Sequence, residues 1–471
     1  MASNLTIRNH TVTPIELKRF ERFVQIPPPE VTGFAKNITN ITSTISSFIG
    51  NSTGPIHPEI AQDAQGESNQ DVSIAVSAFG LVGTDVQINK NEVIRLTFEV
   101  EGQQYRVDAP SPTQRSSVLT PLSPDPRHQF TAVYLPDYAF LSIFSSTQLE
   151  SWMGKLKDET PLSALSIPGT HNSPTCHTAL PSVRCQAVGV REQLDNGVRF
   201  LDIRVQPEDA EDTSKDGLIL VHSAFPISLT GNKYFRDLQN IVYEFLDANP
   251  SETVIISLKR EGVGKASDQH FSKILHQFYT NDSNRWFTDN RIPSLGEVRR
   301  KVVLIRRFNQ DESLNGVNDG RGLGIDAASW PDNCADGLCS SGEIRVQDFY
   351  EVAETQNIDK KIQLSTDHLC RSAEAICPIT SDIAVAAKQP FYVNFLSGSN
   401  FWSPNCWPDR VAAKVNPSVI RHLCKDHNAG HEGQKVGDGG TGILVCDWVG
   451  NHGDWDLVRC VVGMNARLQS R

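Results

Sequence analysis

Leu165-Ser-Ile-Pro-Gly-Thr-His171-Asn-Ser173 is a short apolar run that stops at an imidazole. Downstream, Gly197-Val-Arg-Phe-Leu-Asp-Ile-Arg204 repeats the pattern and delivers Asp202 and Arg204, and Leu218-Ile-Leu-Val-His222 repeats it again, ending on a second histidine. Unbroken apolar runs of about four to eight residues between turn residues read as strands buried on both faces, the habit of parallel sheets covered by helices.

Eight such strands are expected, at 164–167, 198–205, 218–222, 253–259, 301–308, 344–347, 391–395 and 443–447. Helical stretches at 234–249, 267–279, 408–425 and 454–467 lie among them, and Asn249-Pro-Ser-Glu252 marks a helix stop before the fourth strand. Alternation of this kind predicts an α/β fold, a (β/α)8 TIM-type barrel over residues 149–471. In that fold the working groups sit at the C-terminal ends of strands. His171, Asp202, Arg204, His222, Lys259, Arg307, Asp348 and Asp447 all fall at or just past a predicted strand end, so side chains from distant segments are expected to converge on one mouth.

Residues 1–148 read differently: they hold no cysteine, and short alternating strands are joined by Pro/Ser/Gly-rich connections. Over 92–100, Ile94, Leu96, Phe98 and Val100 face one way and Arg95, Thr97 and Glu99 the other, the pattern of a strand with one wet face. Glu101-Gly-Gln-Gln104 then turns into Tyr105-Arg-Val-Asp108, a hairpin. Similar runs occur at 4–7, 15–20, 72–78 and 130–135, so an N-terminal all-β, sandwich-like domain is expected, with polar, proline-bearing loops at 51–70 and 109–126.

A length of 471 residues suits two cores, since single cores stop growing near about 250–300 residues. With 39% hydrophobic and 21% charged residues the chain has ordinary globular composition, and no apolar run is long enough for a transmembrane helix. A net charge of -11 disfavours nucleic acid as a partner and gives no attraction to an anionic membrane. Contact with lipid would therefore rest on exposed apolar or aromatic side chains.

The opening Met1-Ala-Ser-Asn-Leu5 lacks the basic segment and apolar core of a secretory signal, so a cytoplasmic location is expected. A secreted protein is the alternative, because ten cysteines include the close pairs Cys176/Cys185, Cys334/Cys339 and Cys370/Cys377, and sequons stand at Asn4, Asn9, Asn37, Asn40, Asn51 and Asn281. The cysteines lack zinc-site spacing and no phosphate-cradling glycine loop is present, so neither a metal nor another cofactor is expected. His177, His368, His422 and His427 read as ordinary surface or core residues.

Two imidazoles near neutral pKa and a fixed guanidinium suit the cleavage of a phosphodiester. One ring removes a proton, the other supplies one, and the cation holds the charge that develops between them.

The motifs from Ser166 onward resemble those of the bacterial type of phosphatidylinositol-specific phospholipase C, an X-domain phosphodiesterase. Ser166-Ile-Pro-Gly-Thr-His-Asn-Ser173 is similar to the family's first-histidine motif, Gly197–Arg204 to its Asp-x-Arg strand, and Asn249-Pro-Ser-Glu-Thr-Val-Ile-Ile-Ser-Leu-Lys-Arg-Glu261 to its fourth strand. Val302–Arg307, Val346–Tyr350, Tyr392–Phe395 and Val445–Trp448 look like later strands in the right order. The resemblance covers about residues 155–468 and leaves out the N-terminal domain.

The resemblance implies a role for each matched position. His171 would take the proton of the inositol 2-hydroxyl, Asp447 would hold its ring, and His222 would protonate the departing diacylglycerol oxygen, leaving a 1,2-cyclic inositol phosphate. Arg204, fixed by Asp202, would bind the phosphate oxygens. Calcium-dependent relatives carry a carboxylate in its place, so the arginine implies calcium independence. Lys259, Arg307 and Asp348 would grip the inositol hydroxyls and Tyr350 would stack on the ring, with the substrate a phospholipid at a membrane surface.

Two positions depart from the pattern. Asn172 replaces an aspartate that pairs with the second histidine in the bacterial enzymes, and reads as structural or as a neutral hydrogen-bond partner; Ser223 replaces the glycine that usually follows that histidine. Two further readings stay open: the same fold acting on another phospholipid headgroup, and a catalytically decayed lipid- or glycan-binding protein whose sandwich is the working part.

Overall fold

A side chain at Gly169 would meet Phe200 at 2.9 Å, so the segment carrying the first histidine lies against its neighbour only because position 169 has no Cβ. The computed structural model describes residues 3–24, 60–89, 92–111, 115–377, 389–430 and 435–469. The chain divides into two units, Met1–Thr147 and Gln148–Arg471.

In the first unit, β1 (Ser3–Asn9), β2 (Ile15–Val24), β3 (Ser68–Val76), β4 (Leu81–Ile88), β5 (Glu92–Val100), β6 (Gln103–Ala109), β7 (Ser116–Val118), β8 (Thr120–Pro121), β9 (Phe130–Leu135) and β10 (Phe140–Ser145) form two five-stranded sheets. Their orders are β4-β1-β10-β9-β7 and β3-β2-β5-β6-β8. One apolar cluster draws on both, with Leu5, Ile7, Phe130 and Ile143 from the first sheet and Leu17, Leu96 and Phe98 from the second. Val100 pairs with Gln103, so the β5–β6 turn is the two residues Glu101 and Gly102, both at positive φ, which suits the twist of a hairpin.

Two expectations for this unit need correction. The face of β5 read as wet is covered: Arg95 is buried, donates to both Asp108 oxygens and to the carbonyls of Ile60 and Ala61, and lies over the Phe23 ring. A charge buried this way is kept by its partners, which period-two alternation cannot reveal. The stretches read as loops contain strand, since 68–70 begin β3 and 116–121 hold β7 and β8, while 51–59 lie outside the described residues. The sequon residue Asn9 is fully buried, with its amide on the Thr13 carbonyl at 2.9 Å, whereas Asn37, Asn40 and Asn51 lie outside the described residues.

The second unit holds β11 (Ile167–Thr170), β12 (Phe200–Pro207), β13 (Leu218–His222), β14 (Phe225–Pro226), β15 (Val254–Arg260), β16 (Trp286–Phe287), β17 (Val302–Arg307), β18 (Ile325–Asp326), β19 (Gly337–Leu338), β20 (Ile344–Gln347), β21 (Phe391–Phe395) and β22 (Ile443–Cys446). They curl into one sheet in the order β16-β17-β15-β12-β11-β22-β21-β20-β19. From β17 across to β20 the neighbours run parallel. Helices at Phe235–Ala248, Asp268–Phe278, Gln356–Glu374, Pro408–Arg421 and Asp456–Gly463 connect and accompany the strands. Each is amphipathic where it packs: Phe235, Leu238, Val242, Phe245 and Leu246 form one buried stripe. Among the described residues no helix is long and apolar enough to cross a membrane.

Two staves differ from expectation. The first begins later than 164–167, because Leu162–Ala164 is a buried 3-10 turn and the strand starts at Ile167; apolar burial alone does not separate the two. The third, β13, is antiparallel to β12, with Val205 facing Leu220 and Pro207 facing Leu218. β12 overshoots the short β11, and β13 descends along it, which returns His222 to the level of the other strand ends.

At the opposite end of these strands, Arg199 and Glu252 are both fully buried and joined at 2.8 Å. Arg199 also donates to the carbonyls of Leu149, Glu150, Leu194 and Val198, and Glu252 accepts from the Met153 amide.

Candidate active site

Sheet register alone assembles half of the site. Arg204 pairs with Lys259 across β12 and β15, and Lys259 pairs with Arg307 across β15 and β17, which sets three cations in one row. Thr170 pairs with Cys446, so the next residues, His171 and Asp447, emerge side by side.

His171 Nδ1 lies 2.9 Å from Asp447 Oδ1, while its backbone amide donates to the Cys446 carbonyl. Burial raises the Asp447 carboxyl, and the neighbouring His171 offsets only part of that. The second ring nitrogen, Nε2, faces the Asn172 side-chain amide at 3.0 Å. Asn172 therefore serves His171, not the second histidine, and its backbone sits at a positive φ of 41°. Gln186 donates to the carbonyls of both His171 and Cys446 and holds the two strand ends together.

Asp202, fully buried, is the hub of the charges. Its oxygens accept from the Asn172 amide at 3.1 Å, Arg204 at 3.2 Å and Arg307 at 3.4 Å. Burial works to raise its carboxyl, but the two guanidiniums outweigh that and hold it below the usual carboxylate range. Arg204 is gripped from the other side by Glu261 at 2.9 Å, and Glu261 also takes Lys259 at 2.8 Å and the Ser223 amide at 2.9 Å. Burial raises Glu261, yet Arg204 and Lys259 reverse the sign and leave it well below its ordinary value.

Arg307 stacks 3.8 Å from the Trp330 ring centre, and the Trp330 indole donates to Asp348 at 2.9 Å. Asp348 lies 3.8 Å from Arg307.

The His222 ring stands edge-on to His171, with centroids 5.8 Å apart. Its Nδ1 faces the Val183 carbonyl at 2.8 Å. Burial, then Arg204 and His171, push its pKa down to about 4. Ser223, in the tight turn that follows, sits at a φ of 52°, a conformation glycine takes without cost.

Residues 159–308 match the family model described as phosphatidylinositol-specific phospholipase C, X domain. That stretch is similar to the X domain of that family. The 1-phosphatidylinositol phosphodiesterase of Staphylococcus aureus (strain Newman) is 26% identical over 313 residues, covering 64% of this chain and 88% of that protein. The protein of the same name from Listeria monocytogenes is 33% identical over 183 residues, which is 36% of this chain and 53% of that one. A crystal structure of a variant phosphatidylinositol-specific phospholipase C from Staphylococcus aureus covers 67% of this chain and 97% of its own, with a TM-score of 0.52 at 24% identity, a likeness of fold.

Within the X domain and the strands that complete its barrel, one hydrogen-bonded set thus joins Asn172, Asp202, Arg204, Lys259 and Arg307, with Asp348 beside it and the His171–Asp447 pair reached through Asn172. Tyr350 is not tied into it: its hydroxyl donates outward to Asp332 at 3.1 Å. Sequence reading missed Glu261, Trp330 and Lys361. Glu261 stands two residues past Lys259, on the same side of a strand, which was signal enough. Lys361 lies on the buried face of the Gln356–Glu374 helix, where a lysine interrupts the stripe of Ile358, Ser365, Leu369 and Ser372. Its Nζ donates to the Phe349 carbonyl at 2.7 Å and to Gln347 at 3.2 Å, and burial lowers its pKa to about 7.

Proposed function

We propose that this chain cleaves phosphatidylinositol, or a glycosylated form of it, to diacylglycerol and inositol 1,2-cyclic phosphate without a metal. The observation that carries the reading is the edge-on pair of His171 and His222, 5.8 Å apart, beside an arginine held on both sides by carboxylates. Asp447 keeps a proton on Nδ1 of His171, which leaves Nε2 to accept the proton of the inositol 2-hydroxyl. The oxygen so exposed attacks phosphorus within the same molecule, so positioning supplies much of the rate. His222 donates a proton to the diacylglycerol oxygen as the P–O bond breaks.

His222 is neutral at pH 7 when its pKa is about 4, so the proposal requires the substrate's phosphate to raise it. Arg204 Nε and Arg307 Nε are buried donors without a partner among the described residues, and they suit the phosphate and headgroup oxygens. A guanidinium at position 204 cannot ligate calcium, which supports metal independence.

Lipid would be met through aromatics at the same strand ends. Phe225, just past His222, stacks on Phe401 at 5.2 Å, and Phe401 lies 4.8 Å from Trp402, which is 87% exposed. The first unit is read as a β-sandwich domain over 1–148, joined to the catalytic region 149–471.

The test is release of cyclic inositol phosphate from phosphatidylinositol micelles in excess chelator, lost in His171→Ala. A binding-only role is the second reading, motivated by the absence of any carboxylate at ion-pair distance from His222 among the described residues. Vesicle binding without turnover would establish it in place of the first.

A further inference from the structure

His171, Cys185 and His222 each offer one donor atom, and the three donors lie within 4.8 Å of one another. Spacing rules miss the trio, since one member follows β11, one sits in the next loop and one closes the antiparallel β13. We propose that this tripod takes a soft divalent cation, Zn2+ above all, through the Cys185 thiolate and both imidazoles, with a fourth position left open. An ion there would occupy both rings of the proposed acid–base pair and switch cleavage off.

The donor set is the argument. One thiolate and two imidazoles match the N/S preference of zinc, and a site with three protein ligands keeps an exchangeable position. Zn–N and Zn–S bonds of about 2.0–2.3 Å place the donors of a tetrahedral site roughly 3.5 Å apart. Cys185 Sγ and His222 Nδ1 are already 3.8 Å apart, so closing the tripod asks for a side-chain adjustment of about an ångström, in which Nδ1 leaves the Val183 carbonyl and the ring proton moves to Nε2.

The surroundings fit as well. Asp447 holds Nδ1 of His171, which leaves Nε2 as the ligand and forms the carboxylate–histidine–metal arrangement that strengthens binding. Cys185 is fixed by its amide on Thr175 Oγ1 at 3.1 Å and by its carbonyl, which accepts from Trp448 at 2.9 Å. Binding releases the thiol proton, and the thiolate together with the Asp447 carboxylate balances the dication. Arg204 opposes it, but its charge is already matched by Asp202 and Glu261. Cys185 is buried whereas the two histidines are only partly buried, so the ion would enter from the mouth. The Asn172 amide, now on His171 Nε2, would swing aside.

The experiment uses the full chain, stripped with chelator and titrated at pH 8 with Zn2+ and with Co2+ as a spectroscopic probe. Expected are one Zn2+ per chain, release of one proton, and a near-ultraviolet thiolate-to-cobalt band. Cys185→Ser should abolish the band and weaken zinc by more than about 100-fold, beyond the 10–100-fold that loss of an outer-shell partner costs. His222→Ala should weaken zinc yet keep the band, which maintains the test if Cys185→Ser fails to fold. Absence of stoichiometric zinc, absence of the band, or equal zinc affinity in folded Cys185→Ser would overturn the proposal. The titration needs no lipid, so its outcome is separate from that of the cleavage assay.

Discussion

Asp447 Oδ1 sits 2.9 Å from His171 Nδ1 inside a buried pocket, and its second oxygen has no partner among the described residues. The carboxylate is thereby committed to one ring, fixing its tautomer and favouring the imidazolium once a proton arrives. Asp447→Asn keeps the shape and removes the charge. Turnover of phosphatidylinositol should fall on the order of 10²–10⁴-fold with the melting temperature little changed. Steady-state kinetics beside calorimetry check this; near-normal kcat would remove the role.

The depressed pKa of His222 has a consequence for stability. With a folded value of about 4 and an unfolded value near 6.5, the native chain binds fewer protons than the unfolded chain in that interval. Its contribution to stability is therefore full above about pH 6.5 and is lost as the pH falls toward 4. Urea melts at pH 7 and pH 5 should show a smaller loss in His222→Gln than in the parent chain. In the parent, NMR titration of the ring should move upward when inorganic phosphate is added.

Arg204 is aimed by two carboxylates, so a cation of different shape should not replace it. Arg204→Lys keeps the charge but loses the fork, and kcat should drop on the order of 10²–10³-fold. Glu261→Gln should lower kcat by a smaller factor and shift KM less than kcat, since Glu261 acts through Arg204, Lys259 and the Ser223 amide. Equal activity of Arg204→Lys and the parent would count against phosphate binding by this residue.

The pair Arg199–Glu252 carries no chemistry but a large structural burden. Glu252→Ala strands a fully buried guanidinium and should cost about 3–5 kcal/mol in denaturant melts. The double variant Arg199→Met/Glu252→Leu, which removes both charges, should recover much of that loss. If the single and double variants melt alike, the uncompensated charge is not the cause.

Trp402, 87% exposed beside Phe401, should matter to vesicles and not to dispersed substrate. Trp402→Ala is expected to weaken sedimentation with neutral phospholipid vesicles several-fold and to leave cleavage of a water-soluble inositol phosphodiester unchanged. Loss on both substrates alike would place the residue in folding or catalysis instead.

Much of the barrel was legible because β15, β17 and β22 open on continuous apolar runs and β12, β20 and β21 are short, largely buried segments bounded by turn residues. The convergence of His171, Arg204 and Asp447 was legible for the same reason, since His171 and Asp447 directly follow such strands and Arg204 lies in the second half of another. β13 was misread because an apolar run carries no sign of direction; only the pairing of Leu220 with Val205 shows that it runs back. Arg95 and Lys361 escaped because a buried cation looks polar to any pattern rule and is explained only by partners far away in the chain. That Asn172 hydrogen-bonds to the ring of His171 could not be read from the sequence, which offered it only as structural or as a neutral hydrogen-bond partner.

The return of β13 makes the aim of one imidazole a matter of counting. His222 lies two positions beyond Leu220, and alternate residues of a strand look to opposite sides. A slip of one residue in the pairing of β13 with β12 would point that ring away from its counterpart while the parallel staves stayed in place. The donor arm thus hangs on a single antiparallel register, whereas the acceptor arm is locked between parallel neighbours.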